Sequence, residues 1–294
     1  MSRIFDALKR SESERWGNDL GTPPESVTEL LQAAEGRRIQ QQIETLVPPA
    51  TGVEAFAFGS APTLRPAPSP EARLVCLTDP GSMGAEKFRV LGLRLRHLRD
   101  KRKLRRVVVT GTAPEEGKSL IAANLALNQA RSKVLKTLLI DGDFRRPSLA
   151  KRFGVGELLP GLSECLRGER QLSEVVYQFE GSGLCFLPAG MAPENPLELM
   201  QSGRLSSLMR QLADSFDWII VDSPPLLPLA DTTVWSRLTD GTLLVAREGT
   251  TQKGPLQRGI EVIKKSNLLG VVLNGCTDVD HENYYRRYSP AAPQ

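Results

Sequence analysis

From residue 107 onward the chain alternates short, unbroken apolar runs with longer amphipathic stretches. The runs cover 107–109, 138–140, 184–187, 218–221, 242–246 and 270–273. None shows polar alternation, the mark of strands buried on both faces of a parallel sheet. Between them, 119–131, 203–215, 231–237 and 252–265 space their apolar residues for one face of a helix. Strand and helix patterns in alternation over roughly 200 residues predict an α/β domain, a doubly wound, mostly parallel sheet flanked by helices. Such sheets bind ligands beyond the carboxyl ends of their strands, so the chemistry is expected just after each apolar run.

Upstream the pattern differs. Residues 1–13 read as a short helix capped by Ser2, with Ile4, Phe5 and Leu8 on one face. A second, Gln/Arg-rich helical stretch covers 26–46. Six prolines (Pro48, Pro49, Pro62, Pro66, Pro68, Pro70) then mark 47–70 as a linker with too little apolar bulk to offset ordering. The expected organisation is a largely disordered N-terminal extension over 1–46, a linker over 47–70, a folded domain over 71–279 and a flexible tail over 280–294. No run among the 294 residues approaches the roughly 18 apolar residues of a membrane span, and the start lacks the apolar core of a secretory leader. A cytoplasmic location is therefore expected. Four scattered cysteines (Cys76, Cys165, Cys185, Cys276) form no C-x-x-C pair, which speaks against a zinc site. The two histidines, His97 and His281, have no triad or metal partner in sequence. A net charge of +4 does not call for nucleic acid.

Three strand ends carry candidate chemistry. VVVTGTAPEEGKSL runs from a strand through a loop into a helix. Gly117 lets backbone approach phosphates, Lys118 supplies a positive charge to them, and Ser119 offers a hydroxyl to Mg²⁺. The general phosphate-loop spacing wants glycine at 112, where Thr112 stands, with Gly111 one place earlier. Glu115 and Glu116 are expected to point outward, since like charge opposes phosphate binding. In TLLIDGDFRRPSL, Asp141 and Asp143 follow a strand, with Arg145 two residues on; a helix cap near Pro147 is the structural alternative for these acids. In FDWIIVDSPP, Asp222 closes another strand, and Mg²⁺ needs only one or two carboxylates beside phosphates and water.

Two further features lie outside these strand ends. Three of the four tyrosines, Tyr284, Tyr285 and Tyr288, fall in the last eleven residues, beyond the last core pattern. Residues 94–106 hold eight Arg/Lys and one Asp, a solvated helix face or a surface for anionic lipid headgroups or an acidic partner.

The motifs together resemble those of bacterial tyrosine kinases of the CpsD/CapB type, relatives of the MinD/ParA P-loop ATPases. A Walker A motif stands as Ala113 to Ser119, an A′ motif of aliphatics followed by D-x-D-x-R as Leu138 to Arg145, and a B motif followed by D-x-x-P as Ile219 to Pro225. The resemblance continues through LPAGMAPENPLELM and GVVLNG, so it covers about 71–288. The partitioning ATPases carry a signature lysine where Ala113 stands here, which favours the kinase branch.

The resemblance implies a P-loop NTPase fold and an ATP- and Mg²⁺-dependent protein-tyrosine kinase that autophosphorylates its terminal cluster, Tyr284, Tyr285 and Tyr288, and regulates exopolysaccharide synthesis and export. Pro114, Glu115, Glu116, Gly117, Lys118, Ser119 and Leu120 would cradle ATP, with Asn274 at the adenine or in a turn. Ser119, Asp143 and Asp222 would serve the metal. Lys118, Asp141, Asp143 and Arg145 would carry catalysis; Asp141 is the candidate base, although sequence does not separate it from Asp143. EKFRVLGLRLR resembles the family's E-x-x-R-x-x-R oligomerisation motif through Glu86 and Arg89, with Gly92 in place of the third Arg; it implies a homo-oligomeric ring. A membrane adaptor of the polysaccharide co-polymerase kind would be the activator, recruiting the chain to the inner face of the plasma membrane. The alternatives are a MinD/ParA-like ATPase switch without kinase activity and a non-catalytic ATP-binding regulator of polysaccharide chain length.

Overall fold

The computed structural model describes residues 61–276 apart from 133, 157, 228, 265 and 266. The readings made above for 1–60 and for the terminal tyrosines lie outside the described residues. The six apolar runs are all strands: β2 (Arg106–Gly111), β3 (Thr137–Asp141), β5 (Leu184–Leu187), β6 (Trp218–Asp222), β7 (Gly241–Arg247) and β8 (Leu268–Asn274). Two short strands precede β2 and β5, namely β1 (Thr63–Leu64) and β4 (Tyr177–Phe179). Among the described residues they form one eight-stranded sheet in the order β1-β4-β5-β3-β6-β2-β7-β8, parallel except where β4 runs against β5.

Both sheet faces are covered, which is why the strands lack polar alternation. Along β2, Val107 and Val109 face one core cluster and Val108 the other; along β6, Ile220 faces the first and Ile219 and Val221 the second. The first cluster lies under α1 (Val75–Thr78), α2 (Met83–Lys101) and α3 (Lys118–Ala130), and includes Leu125, Phe153, Phe186 and Trp218. On the other face, α8 (Arg204–Ser215) and α9 (Asp231–Leu238) bury Met209, Leu212 and Trp235 against Ile140 and Val221. Each such side chain contributes about 1.5–3 kcal/mol on leaving water. Short helices α4 (Leu149–Phe153), α5 (Leu162–Arg167), α6 (Leu172–Val175) and α7 (Pro196–Gln201) fill the stretch between β3 and α8, and α10 (Lys253–Lys264) connects β7 to β8.

Residues 61–70, part of the expected linker, belong to the folded unit. β1 pairs with β4, with the Gln178 N–H donating to Pro62 O and the Glu180 N–H to Leu64 O, both at 2.9 Å. Flanking prolines confine this strand to two residues at the sheet edge, the place where a missing N–H costs nothing. Farther along, the Ala67 N–H donates to Phe153 O at 2.9 Å. The basic stretch 94–106 also has structural employment. Arg96 donates to Gln129, Arg99 donates to Asp217 O and lies 5.2 Å over the Trp218 ring, Arg102 donates to Asn267, and Arg106 pairs with Asp240. Gly92 is buried where α2 crosses α3, and a Cβ there would lie 2.2 Å from Asn128 Nδ2. Close helix packing is thus the physical reason for glycine in the third motif position.

Docking of 61–70 can be tested at Gly154. It ends α4 with φ +66°, and a Cβ there would lie 2.1 Å from the Ala67 carbonyl oxygen. Gly154→Ala should lower unfolding stability by more than about 1 kcal/mol in urea titrations, because neither the backbone angle nor the neighbouring carbonyl can give way. An unchanged midpoint and slope would mean that 61–70 does not dock there.

Candidate functional site

β2, β3 and β6 are neighbours, so their carboxyl ends bring the three motifs together. The register sets Asp141 beside Asp222 and Val109 beside Asp222. β2 leads through residues 112–117 into α3, whose first N–H groups have no intrahelical partner and point past the helix end. Gly117 joins loop to helix with φ +93°, and a Cβ there would lie 2.1 Å from Asn274 Nδ2. A side chain at 117 would therefore meet a strained backbone angle and displace the Asn274 amide. Beneath the loop, the segment after β6 is pinned by Ser223 N–H to Val109 O (3.1 Å), Leu226 N–H to Gly111 O (2.8 Å) and Thr232 Oγ1 to Pro224 O (2.7 Å).

Asp222 is buried, with neither carboxylate oxygen in a hydrogen bond. The Ser119 hydroxyl is near enough to draw its pKa down but stays outside hydrogen-bond geometry. Burial first, then the adjoining Asp141, push the Asp222 carboxyl well above the usual carboxylate range. Asp141 is equally buried and is raised to about 7, chiefly by burial and further by Asp143, against the pull of backbone N–H groups. Those N–H groups belong to Leu149 and Ser148, which donate to Asp141 Oδ2 at 3.0 and 3.1 Å, and to Asp143, which donates to Oδ1 at 3.4 Å. Asp141 thus caps the entry to α4, the structural alternative for this acid, and stands beside Asp222 at the strand ends. Asp143 Oδ1 accepts from the Arg145 and Arg146 N–H groups at 3.1 and 3.0 Å. Burial lowers the Lys118 pKa while Asp222, Glu116 and Asp143 raise it, and its Nζ donates to Ala113 O at 2.7 Å. These fields connect Lys118, Ser119, Asp141, Asp143 and Asp222 as one cluster.

Oxygen donors only, two of them unpartnered and dry, beside a buried ammonium and free helix N–H groups, suit a hard cation bound with phosphates. The residues fit Mg²⁺ with a nucleoside triphosphate.

Several expected roles change. Glu115 does point outward, but Glu116 is fully buried, contrary to expectation: its carboxylate accepts from Thr112, Ala113 and Thr251. Those donors offset the like-charge penalty that argued for an outward side chain. Arg145 is committed to Asp231 through Nε (2.8 Å) and Nη2 (3.2 Å), which raises its pKa and fastens the loop after β3 to the start of α9. Asn274 donates to Glu116 O at 3.0 Å, so it supports the phosphate loop from behind. Glu86 and Arg89 pair with each other, and Arg89 also reaches Pro80 O. Pro114 is exposed and Leu120 half-buried at the two ends of the loop. Sequence reasoning missed Asp231, Thr251 and Trp235, whose indole N–H donates to Gly142 O at 3.1 Å; Asp231 and Trp235 follow just beyond the B motif and Thr251 beyond β7, and none carries a spacing signal. Among the described residues no helix is long and apolar enough to cross a membrane.

No protein-family model matches the chain. Among curated proteins it resembles the tyrosine-protein kinase YwqD of Bacillus subtilis (strain 168), 32% identical over 216 residues that make up 73% of this chain and 90% of YwqD. It is 37% identical over 169 residues to the tyrosine-protein kinase ptk of Acinetobacter johnsonii, 58% of this chain, and spans 22% of that longer protein. Among solved structures, the chimerical protein CapA2B2 matches with a TM-score of 0.67 at 30% identity, covering 74% of this chain and 96% of that one.

The raised acid pKa values fix a pH dependence. A carboxyl whose folded pKa lies above its unfolded value binds more protons in the folded state, so stability declines as pH rises through that interval. The ligand-free chain should therefore lose stability between about pH 4 and about 7, and Asp222→Asn should flatten that decline, as read from urea midpoints across the range. Equal slopes in both proteins would show that Asp222 is not held in a charge-averse setting.

Proposed function

Since the chain belongs to the family of bacterial tyrosine-protein kinases, we propose that it transfers the γ-phosphoryl group of ATP to tyrosine hydroxyls, first those of its own Tyr284, Tyr285 and Tyr288, and so regulates exopolysaccharide synthesis and export. One observation carries the site assignment: the dry, unpartnered Asp222 carboxylate stands beside Asp141 and within the field of Lys118. A buried acid without a protein donor marks a place where a cation or a catalytic task accounts for it.

In this reading Lys118 leaves the Ala113 carbonyl and steadies the β- and γ-phosphates, while the first N–H groups of α3 hold the anion. Ser119, Asp143 and Asp222 would hold Mg²⁺, which would neutralise phosphate charge. A free phenol has a pKa of about 10, so the attacking tyrosine needs a proton acceptor. Asp141, raised to about 7, is matched to that task at neutral pH. Arg145 acts by fixing the loop that carries Asp141 and Asp143, through its two bonds to Asp231. Asn274 acts on the phosphate loop through Glu116 O and would border the adenine of ATP.

The partners are a membrane adaptor of the polysaccharide co-polymerase kind, which activates the chain, and further copies of the chain assembled through the Glu86/Arg89 region. Arg94, Lys101, Lys103 and Arg105, the exposed basic residues of 94–106, would bring a cytoplasmic chain against anionic lipid.

Incubation of the full chain with Mg-ATP and the cytoplasmic segment of a candidate adaptor, followed by mass spectrometry, should find phosphate on Tyr284, Tyr285 or Tyr288. Lys118→Ala should abolish the signal. ATP turnover with every tyrosine unmodified would favour a MinD/ParA-like switch and overturn the kinase reading.

A further inference from the structure

The buried Glu116 carboxylate takes no part in the transfer described above, and its surroundings point to a different task. Its Oε1 accepts from Thr112 Oγ1 and from Thr251 Oγ1, both at 2.7 Å, and its Oε2 accepts from the Ala113 N–H at 3.0 Å. Room for this carboxylate exists because residue 111 is glycine: a Cβ there would lie 2.1 Å from Glu116 Oε2. Thr251 is not part of the phosphate loop. It belongs to the turn after β7, where its hydroxyl oxygen also accepts from the Arg247 N–H at 2.8 Å.

Two more bonds run the same way. Arg247 Nη1 donates to Glu115 O at 3.1 Å, and Asn274 Nδ2 donates to Glu116 O at 3.0 Å. Three residues at the ends of β7 and β8 therefore grip positions 115 and 116. That grip answers a conformational problem, since Glu115 adopts φ +64°, a left-handed angle uncommon outside glycine. Such a conformation persists only where its surroundings over-determine it. A loop that binds phosphate through backbone N–H groups gains affinity when those groups are already in place before the ligand arrives.

We propose that Glu116 and Thr251 form a clamp that holds the phosphate-binding loop in its nucleotide-ready shape, with Glu116 as a positioning residue and the turn after β7 as the anchor. The clamp rests on the nucleotide-binding reading above but is visible in the ligand-free chain.

Hydrogen exchange with mass spectrometry on the ligand-free full chain reads it without turnover. In Thr251→Val, amides of 112–117 should exchange about tenfold faster than in the parent, the loss expected for one hydrogen bond to a charged acceptor. Thr251→Ser should restore the parent rates. Glu116→Gln, which removes the charge and replaces one acceptor oxygen by an N–H donor, should speed the same amides, while those of β3 stay protected and report an intact fold. The calorimetric Kd for Mg-ATP should rise about tenfold in Thr251→Val and return in Thr251→Ser. Parent-like exchange at 112–117 in both Thr251→Val and Glu116→Gln overturns the clamp, as does faster exchange confined to 247–252 or an unchanged Kd in Thr251→Val. A parent chain that fails to bind Mg-ATP overturns the kinase reading instead, and the exchange rates then decide the clamp alone.

Discussion

A buried carboxylate with no donor is among the least favourable groups a fold can contain, and Asp222 is one. It stands next to a second buried acid, Asp141, so burial and mutual repulsion push both toward the neutral form. Lys118 offsets part of this charge, yet its ammonium turns back to the Ala113 carbonyl. A divalent cation with a triphosphate would supply positive charge to the acids and negative charge to Lys118 and to the helix N–H groups in one event.

The sheet order makes this concentration of charge feasible. Lys118 and Ser119 follow β2, Asp141 and Asp143 follow β3, and Asp222 ends β6, although over a hundred positions separate the first from the last. Placing β6 between β3 and β2 turns that separation into adjacent strand ends. Apolar clusters on both faces hold the strands in register, so the acids have no freedom to move apart. Stability built into the body of the sheet supports an unfavourable arrangement at its rim.

Much of this was legible in the sequence because the governing signals are local. Unbroken apolar runs disclosed every long strand, and Gly117, Lys118 and Ser119 marked the junction of loop and helix at the start of α3. What escaped depends on contacts between distant positions. β1 hides between Pro62 and Pro66 and exists only because β4 offers it a partner. Glu116 was expected in solvent on the sound ground that it abuts phosphate, but its orientation is decided by Thr251, 135 residues away. Arg145 reads as a catalytic cation until Asp231, 86 residues on, engages it. The basic run 94–106 reads as one charged surface, whereas acceptors at 129, 217, 267 and 240 engage Arg96, Arg99, Arg102 and Arg106.

The central claim is that the acids at the ends of β3 and β6 and the ammonium of Lys118 await a metal-bound triphosphate. A crystal structure with Mg²⁺ and a non-hydrolysable ATP analogue tests it most directly. The account expects Lys118 Nζ to have left the Ala113 carbonyl for the β- and γ-phosphates, with the metal beside Ser119 and Asp222. A triphosphate bound elsewhere, with Lys118 still on the Ala113 carbonyl and Asp222 still without a partner, would contradict it.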